Sequence, residues 1–237
     1  MDKYFRVNEN VNGYAIQKLL GEGRYGIAYL AVNDRYEKCV VKQLKREMLE
    51  QGRGKLFYEE QILRRLNDPR FPKFISKFRD DYREGYLLEY IEGTAFHDLI
   101  ARKRYQFNRR SIYAIAGQLL AMIDFLQKNN IVHRDIRPPN IIVRDSKELV
   151  LIDFGLARYI DNERYTKQND YWYLGDFLIY LYYTSYRGIS TSDRPWYNEL
   201  ELKFEEKKLL LKLMGLESQY HNVDEIKAQI DKIKRTY

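Results

Sequence analysis

Two segments in the second half of the sequence decide the fold, HRDIRPPN at residues 133–140 and IDFG at residues 152–155. The first places Asp135 five positions before Asn140, in a loop that two prolines stiffen. The second places Asp153 at the end of a short apolar run. Carboxylate and amide oxygens can hold Mg²⁺, and a carboxylate can also accept the proton of a hydroxyl group. The three side chains together suit phosphoryl transfer, which needs held cations and a positioned acceptor.

A glycine-rich segment lies much earlier, GEGRYG at residues 21–26, and it follows the pattern G-x-G-x-x-G. It separates two runs that are predicted to be strands, Tyr14–Leu20 and Ile27–Val32. The dinucleotide-binding fold needs this pattern between a strand and a helix, so the setting disfavours that fold. Alone, the segment is weak evidence for a nucleotide site, because many such glycine triplets are turns.

A lysine and a glutamate form a second candidate pair. Lys42 lies near the end of the next predicted strand, Lys38–Gln43, and Glu59 lies in the apolar stripe of a predicted helix, Lys55–Leu66. A carboxylate that points inward needs a cationic partner. The sequence therefore predicts that Glu59 holds the ammonium group of Lys42 beside phosphates.

The pattern changes from strands to helices after Gly93. Apolar residues recur at helical spacing most strongly over Arg109–Asn129, and Tyr171–Tyr183 is apolar on nearly all sides yet too short to cross a bilayer. The predicted fold class is α+β, with an antiparallel sheet and one helix first and mostly helices afterwards. Further strands are predicted at Phe74–Phe78, Tyr86–Glu89, Ile141–Val143 and Leu149–Ile152, and further helices at Glu199–Met214 and Val223–Arg235.

Composition limits the possible classes of protein. The 237 residues are 45% hydrophobic and 32% charged, which is typical of a globular protein with room for two lobes that share one site. The net charge of +7 favours an anionic partner such as nucleotide phosphates or serves general solubility, and a nucleic-acid role rests on charge and tyrosine content alone. The single cysteine, Cys39, excludes an intrachain disulfide. With no signal peptide and no membrane-spanning run, we expect no membrane partner and a cytoplasmic location.

In this order and at these spacings, the segments resemble the eukaryotic-type (Hanks-type) serine/threonine protein kinase family over about Tyr14 to Tyr183. The resemblance implies a bilobal protein-kinase fold, with an N-lobe at residues 1–89, a C-lobe at residues 90–237 and a single kinase domain over residues 14–237. It also implies ATP and Mg²⁺ as cofactors and a protein serine or threonine as the acceptor. Pro138 resembles the serine/threonine pattern more than the tyrosine one.

The resemblance implies a role for each matched residue. Asp135 would be the catalytic base, and Asn140 and Asp153 would bind Mg²⁺. Lys42, paired with Glu59, would contact the α- and β-phosphates of ATP. The other implied nucleotide-binding residues are Gly21, Gly23 and Gly26 over the phosphates, Ala28, Val40 and Ile142 around adenine, Leu88 at the gatekeeper position, and Glu89 and Ile91 at the hinge.

The sequence departs from the family between Gly155 and Asp170. Only 14 residues separate these two positions, and the sequence there lacks the Ala-Pro-Glu-like end of an ordinary activation segment. Because so short a segment offers Arg134 little phosphorylated loop to receive, we predict a minimal kinase whose activity does not depend on phosphorylation. Arg137, which we include among the catalytic residues, stands where serine/threonine kinases usually carry a lysine, and it keeps the charge on a larger, forked group.

Two alternatives stay open on the sequence. The missing docking platform favours a small-molecule or partner-dependent kinase, similar to the small kinase of the tRNA threonylcarbamoyl-modification machinery, although that relative carries glycine in place of Arg134. The other alternative is a nucleotide-binding pseudokinase scaffold. Pseudokinases commonly lose the lysine, the base or the metal aspartate, whereas Lys42, Asp135 and Asp153 are all present.

Overall fold

The chain divides into two compact units, Met1–Glu92 and Gly93–Tyr237. The computed structural model describes residues 2–50, 58–102, 104–188 and 194–236. Its strands are β1 (Asn10–Val11), β2 (Tyr14–Glu22), β3 (Gly26–Asn33), β4 (Lys38–Leu44), β5 (Phe74–Arg79), β6 (Glu84–Glu89), β7 (Thr94–Ala95), β8 (Ile131–Val132), β9 (Ile141–Val143), β10 (Leu149–Leu151) and β11 (Arg158–Tyr159). Its helices are α1 (Tyr58–Leu63), α2 (Phe96–Ala101), α3 (Arg109–Lys128), α4 (Lys167–Tyr183), α5 (Trp196–Glu199), α6 (Phe204–Leu213) and α7 (Val223–Lys234), and residues 46–50 are also helical.

The first unit is a six-stranded antiparallel sheet with helix α1. Its strand order is β1-β2-β3-β4-β6-β5. The pairing of β2 with β3 has two irregularities of register shortly before the glycine-rich segment, and irregularities of this kind bend a strand. The core of the sheet is apolar and includes Phe5, whose ring packs edge-on against Tyr29 at 5.4 Å. The other core residues are Val11, Ile16, Ile27, Ala31, Cys39, Val41, Phe78 and Leu87.

The second unit is mostly helical and carries two small sheets. Helix α3 buries its apolar face, and Asn108 begins the helix by accepting the backbone N–H of Ser111 at 2.9 Å. Helices α4 and α6 approach closely, because a Cβ on Gly175 would lie 3.0 Å from the Cβ of Leu213. The small sheets have the orders β10-β9-β7 and β11-β8. Among the described residues, no helix has the length and apolar character that a membrane span requires.

The predicted helix Glu199–Met214 is present but begins later, at Phe204, and a separate short helix ends at Glu199. The backbone of Leu200 is extended, and the longer helix begins only at Phe204. Its start is fixed by Glu206, whose carboxylate accepts the backbone N–H of Lys203 at 2.8 Å. Part of the predicted helix Lys55–Leu66, residues 55–57, lies outside the described residues.

Candidate active site

The glycine-rich segment is the turn between β2 and β3. The backbone N–H of Gly23 donates to the carbonyl of Gly26 at 2.9 Å and closes the turn. Packing requires glycine at position 26, where a Cβ would lie 2.7 Å from the carbonyl oxygen of Gln43. At Gly21, by contrast, a Cβ would meet no heavy atom of the described residues within 4 Å, and at Gly23 only one, at 4.0 Å. Glycine at these two positions therefore leaves the backbone of the turn open to a molecule outside the protein.

Lys42 and Glu59 form an ion pair in which the glutamate is buried and the lysine is partly buried. The Nζ of Lys42 lies 2.8 and 2.7 Å from the two carboxylate oxygens of Glu59, and the Glu59 side chain is only 3% exposed. Strand β4 carries the lysine, and the first turn of α1 carries the glutamate. The hydroxyl of Tyr86 on β6 also donates to Glu59 Oε2. The ammonium group is thus fixed by a carboxylate that has a second donor of its own.

Several residues predicted to contact the nucleotide share one face of the first sheet. Directly opposite residues of antiparallel strands project to the same side. Ala28 lies opposite Lys42, and Val40 lies opposite Leu88. Since Val40 and Lys42 are two positions apart on β4, all four side chains project from one face.

The remaining predicted nucleotide contacts lie elsewhere. Glu89 ends β6 opposite Cys39, and Ile91 is buried just beyond that strand. Ile142 belongs to the second unit, where it pairs with Val150 and Ala95 in the three-stranded sheet.

Asp135 is held at both carboxylate oxygens. Its Oδ1 lies 2.9 Å from the Nε of Arg137, and its Oδ2 accepts the Asn140 amide at 2.7 Å. The same amide nitrogen donates to the Asp135 carbonyl at 3.0 Å. Burial raises the pKa of Asp135, and the Arg137 charge and the Asn140 hydrogen bond oppose part of this rise. The structure therefore brings three of the predicted residues into direct contact.

Asp170 of α4 holds the loop of residues 133–140 in place through hydrogen bonds to its backbone. Its carboxylate accepts the backbone N–H groups of His133 and Arg134, each at 2.8 Å, and is fully buried. Arg134 has a φ of 65°, which is a strained conformation for a residue with a side chain. The two hydrogen bonds fix that conformation immediately before Asp135. Burial raises the pKa of Asp170 to about 6, against the lowering effect of the same two N–H groups.

Asp153 is exposed, and its backbone is also left-handed, with a φ of 63°. Its Oδ1 accepts the backbone N–H of Gly155 at 3.3 Å. The charge of Asp153 raises the pKa of Asp135, so the two carboxylates interact. The preceding residue, Ile152, donates its N–H to the Asn140 carbonyl at 2.9 Å. This bond connects the strand before Asp153 to the loop that carries Asn140, the other candidate ligand of a metal ion.

The short segment after Gly155 is ordered by its own hydrogen bonds. Asp161 accepts three backbone N–H groups at 2.8–3.0 Å, the last of them from Tyr165. The guanidinium of Arg134 lies 4.6 Å from the centre of the Tyr165 ring and donates to the carbonyl of Leu156 at 3.1 Å. Arg134 therefore has partners within the unmodified chain.

Comparison with known proteins identifies the family. Residues 14–192 match the family profile of the protein kinase domain. The chain belongs to the protein kinase family. The kinase is 33% identical over 227 residues to the probable serine/threonine-protein kinase YbdM of Bacillus subtilis, a match that covers 92% of the kinase and 88% of that relative.

Longer relatives match over a smaller part of their length. The kinase is 31% identical to serine/threonine-protein kinase B of Synechocystis and 30% identical to the cGMP-dependent protein kinase of Plasmodium berghei. These matches cover 62% and 63% of the kinase but only 28% and 18% of the relatives. The predicted Hanks-type serine/threonine kinase family and the protein-kinase fold class are confirmed. Members of this family use ATP and Mg²⁺.

Sequence reasoning missed two residues that support the Lys42–Glu59 pair. Tyr86, the second donor to Glu59, gave no signal, because a tyrosine within a strand is ordinary. Gly85 lies where a Cβ would be 2.1 Å from the carbonyl oxygen of Lys42. A glycine inside a predicted strand is a recognisable sign of such close backbone approach.

Proposed function

We propose that this kinase transfers the γ-phosphate of ATP to a serine or threonine hydroxyl of a protein, with Asp135 as the base and with Asn140 and Asp153 as the Mg²⁺ ligands. The observation that carries the proposal is the fixed orientation of Asp135, which is held at one oxygen by Arg137 and at the other by Asn140. A base restrained in this way loses little freedom when the acceptor arrives.

Burial suits Asp135 to its role. A raised pKa makes the carboxylate a stronger base than an exposed aspartate, and the charge of Arg137 limits the rise. The ionised carboxylate of Asp135 can accept the hydroxyl proton as the acceptor oxygen attacks phosphorus.

The oxygen ligands fit a magnesium ion. Asn140 uses its Nδ2 atom for Asp135, which leaves the amide oxygen to face a cation. Asp153 adds a charged and exposed carboxylate. Among the described residues, no cluster of three or more His, Cys, Asp or Glu side chains could hold a metal, and Mg²⁺ commonly takes one or two protein ligands together with phosphate and water. When bound, Mg²⁺ supplies positive charge that neutralises the phosphates.

The first unit is suited to holding the nucleotide. Gly21 and Gly23 leave the backbone of the turn open to phosphate oxygens, and Lys42, fixed by Glu59, supplies a positive charge. Ala28, Val40 and Leu88 offer apolar surface to adenine on the same face as that lysine. Arg137 is 54% exposed, so its guanidinium is accessible to the transferred phosphate while it contacts Asp135.

The proposal is tested with Asp135→Asn. The asparagine keeps the shape but cannot accept the proton, so we expect kcat to fall by about 10²- to 10⁴-fold while binding of ADP with Mg²⁺ is retained. Asp145→Asn is the matched control, since Asp145 is an exposed aspartate of the same unit. The assay uses labelled ATP, a peptide library with serine, threonine or tyrosine acceptors, and a panel of small hydroxyl metabolites.

Two results would overturn the proposal. Full activity of the Asp135→Asn variant would exclude Asp135 as the base. Phosphate found only on metabolites would show that the acceptor is a small molecule, and the alternative of a small-molecule kinase would then hold.

A further inference from the structure

An N-terminal segment, residues 2–9, precedes the matched kinase domain, which begins at residue 14. The segment packs onto the first unit, since Phe5 is only 8% exposed within the core of the sheet. The side chain of Gln43 donates to the carbonyl of Lys3 at 3.0 Å, and the Asp2 carboxylate accepts the backbone N–H of Arg46 at 2.8 Å. Residues 2–5 are therefore fixed at the end of strand β4.

From this position the segment reaches the glycine-rich turn. The hydroxyl of Tyr4 donates to Glu22 Oε2 at 2.7 Å, and the Nζ of Lys45 lies 2.5 Å from Glu22 Oε1. Both carboxylate oxygens of Glu22 are thus engaged. Glu22 lies between Gly21 and Gly23, the two glycines whose backbone is open. The two contacts lower the pKa of Glu22 and so favour its charged form.

Lys45 also holds the other side of the turn. Its backbone N–H donates to the carbonyl of Tyr25 at 3.1 Å. The side chain of Lys45 therefore contacts Glu22 at the end of strand β2, and its backbone contacts Tyr25 just before strand β3. We call Tyr4, Glu22 and Lys45 the loop clasp.

We propose that the loop clasp holds the glycine-rich turn in its nucleotide-binding position, and that Tyr4 is a positioning residue for ATP. The inference rests on the proposed function, because it assumes that the turn covers phosphates. A free Glu22 would place a negative charge beside those phosphates, whereas Lys45 neutralises that charge and Tyr4 fixes its position. A turn that is already ordered also loses less conformational entropy when the nucleotide binds.

The test compares Tyr4→Phe with Tyr36→Phe. Tyr4→Phe removes only the hydroxyl that contacts Glu22, and Tyr36 is a control in the same unit with a side chain that is 88% exposed. We expect Tyr4→Phe to raise the KM for ATP by about fivefold, in keeping with one hydrogen bond to a charged group at a partly exposed site, while kcat changes less than about twofold. Tyr36→Phe should change neither constant.

Two further measurements separate positioning from stability. Amide hydrogen exchange of residues 21–26 without nucleotide should be faster in Tyr4→Phe than in Tyr36→Phe, while the free energy of unfolding differs little between them. In a Glu22→Ala background, Tyr4→Phe should add little, because the acceptor of the Tyr4 hydroxyl is already absent.

The outcomes distinguish the two hypotheses. If the wild-type protein does not bind a non-hydrolysable ATP analogue with Mg²⁺, the proposed function fails, and the inference about ATP fails with it. If the wild-type protein binds the analogue, but Tyr4→Phe leaves the KM and the exchange of residues 21–26 unchanged, only the loop clasp is rejected.

Discussion

At the scale of single residues, the orientation of Glu59 depends on a hydroxyl group from a neighbouring strand. Tyr86 donates to the same oxygen that Lys42 contacts at 2.7 Å. Tyr86→Phe removes this donor and leaves the ion pair. We expect kcat/KM for ATP to fall by about tenfold, since a hydrogen bond to a charged group contributes about 1.5–3 kcal/mol. Steady-state kinetics measure this effect.

Tyr29→Phe is the control for this prediction. Tyr29 is also buried in the first unit, but its hydroxyl contacts are long, at 3.4 Å to Phe5 N and to Gln43 Oε1. Its loss should therefore leave kcat/KM close to the wild-type value. Equal losses in both variants would mean that a general loosening of the sheet, rather than the orientation of Glu59, lowers activity.

Two buried carboxyl groups of the second unit predict an acidic limit to activity. Burial raises the pKa of Asp170 from 3.8 to about 6, and it raises the pKa of Asp135 in the same direction. A protonated Asp135 cannot accept a proton, and a protonated Asp170 is a weaker acceptor for the N–H groups of His133 and Arg134. We expect kcat/KM to fall as the pH drops from about 7 to about 5, which a pH–rate profile measures.

Over the same pH range, the contribution of Asp170 to the free energy of unfolding should increase as the pH falls, whereas activity decreases. The folded-state pKa of Asp170 lies above its unfolded value, so the folded protein binds this proton more readily than the unfolded chain does. The contribution of Asp170 to stability is therefore fully present below about pH 4 and is lost as the pH rises through about 6. Inactivation at about pH 5 with a urea midpoint that is at least as high as at pH 7 agrees with titration in the site. Inactivation that follows unfolding would contradict this explanation.

The parts of the site that the sequence predicts are those with a local or periodic signal. Asp135 and Asn140 are five residues apart in a proline-stiffened loop, and the hydrogen bond between them spans 2.7 Å. Glu59 is recognisable because it interrupts an apolar helical stripe. Tyr4 and its contact with Glu22 carry no such signal, because the contact depends on how residues 2–9 pack onto the sheet.

At the scale of elements, the ends of helices are set by capping contacts that the apolar pattern does not contain. Helix α4 begins at Lys167, before the predicted start at Tyr171, because the Asn169 side chain accepts the backbone N–H of Thr166 at 2.8 Å. The apolar run begins only where the helix becomes buried. The pattern therefore predicts the buried part of the helix and misses its polar first turn.

At the same scale, the segment between Gly155 and Asp170 predicts that activity does not depend on phosphorylation. Arg134 stacks on Tyr165, and Asp161 orders the residues between, without any phosphate. Treatment with a phosphatase should leave the rate unchanged. Tyr165→Leu should lower kcat by about twofold to fivefold, the range expected for loss of a cation–π contact, whereas Tyr165→Phe keeps the ring and the rate.

A large loss of activity after phosphatase treatment would reject this view of regulation. Equal rates for Tyr165→Phe and Tyr165→Leu would separately show that the ring does not hold Arg134.

At the scale of the whole molecule, the change of pattern after Gly93 coincides with the division of the chain into units at Glu92 and Gly93. Position 93 requires glycine, since its φ is 147° and a Cβ would lie 2.5 Å from the carbonyl oxygen of Val143. The sequence predicts mainly strands before Gly93 and mainly helices after it, because the apolar residues of strands and helices recur with different periods. The packing of individual side chains within each half follows from contacts that are distant in the chain.

The unfolding equilibrium of the whole chain offers a test of the proposed metal ligands, Asn140 and Asp153. A ligand that binds only the folded state stabilises it by about 2.7 kcal/mol at 100 times its dissociation constant. We expect ADP with Mg²⁺ to raise the melting temperature, and ADP with a chelator to raise it much less. Asp153→Asn removes the negative charge of one proposed ligand and should abolish most of this difference, whereas the exposed control Asp145→Asn should preserve it. A shift that is the same with and without the chelator would show that Asn140 and Asp153 do not hold a metal beside the nucleotide.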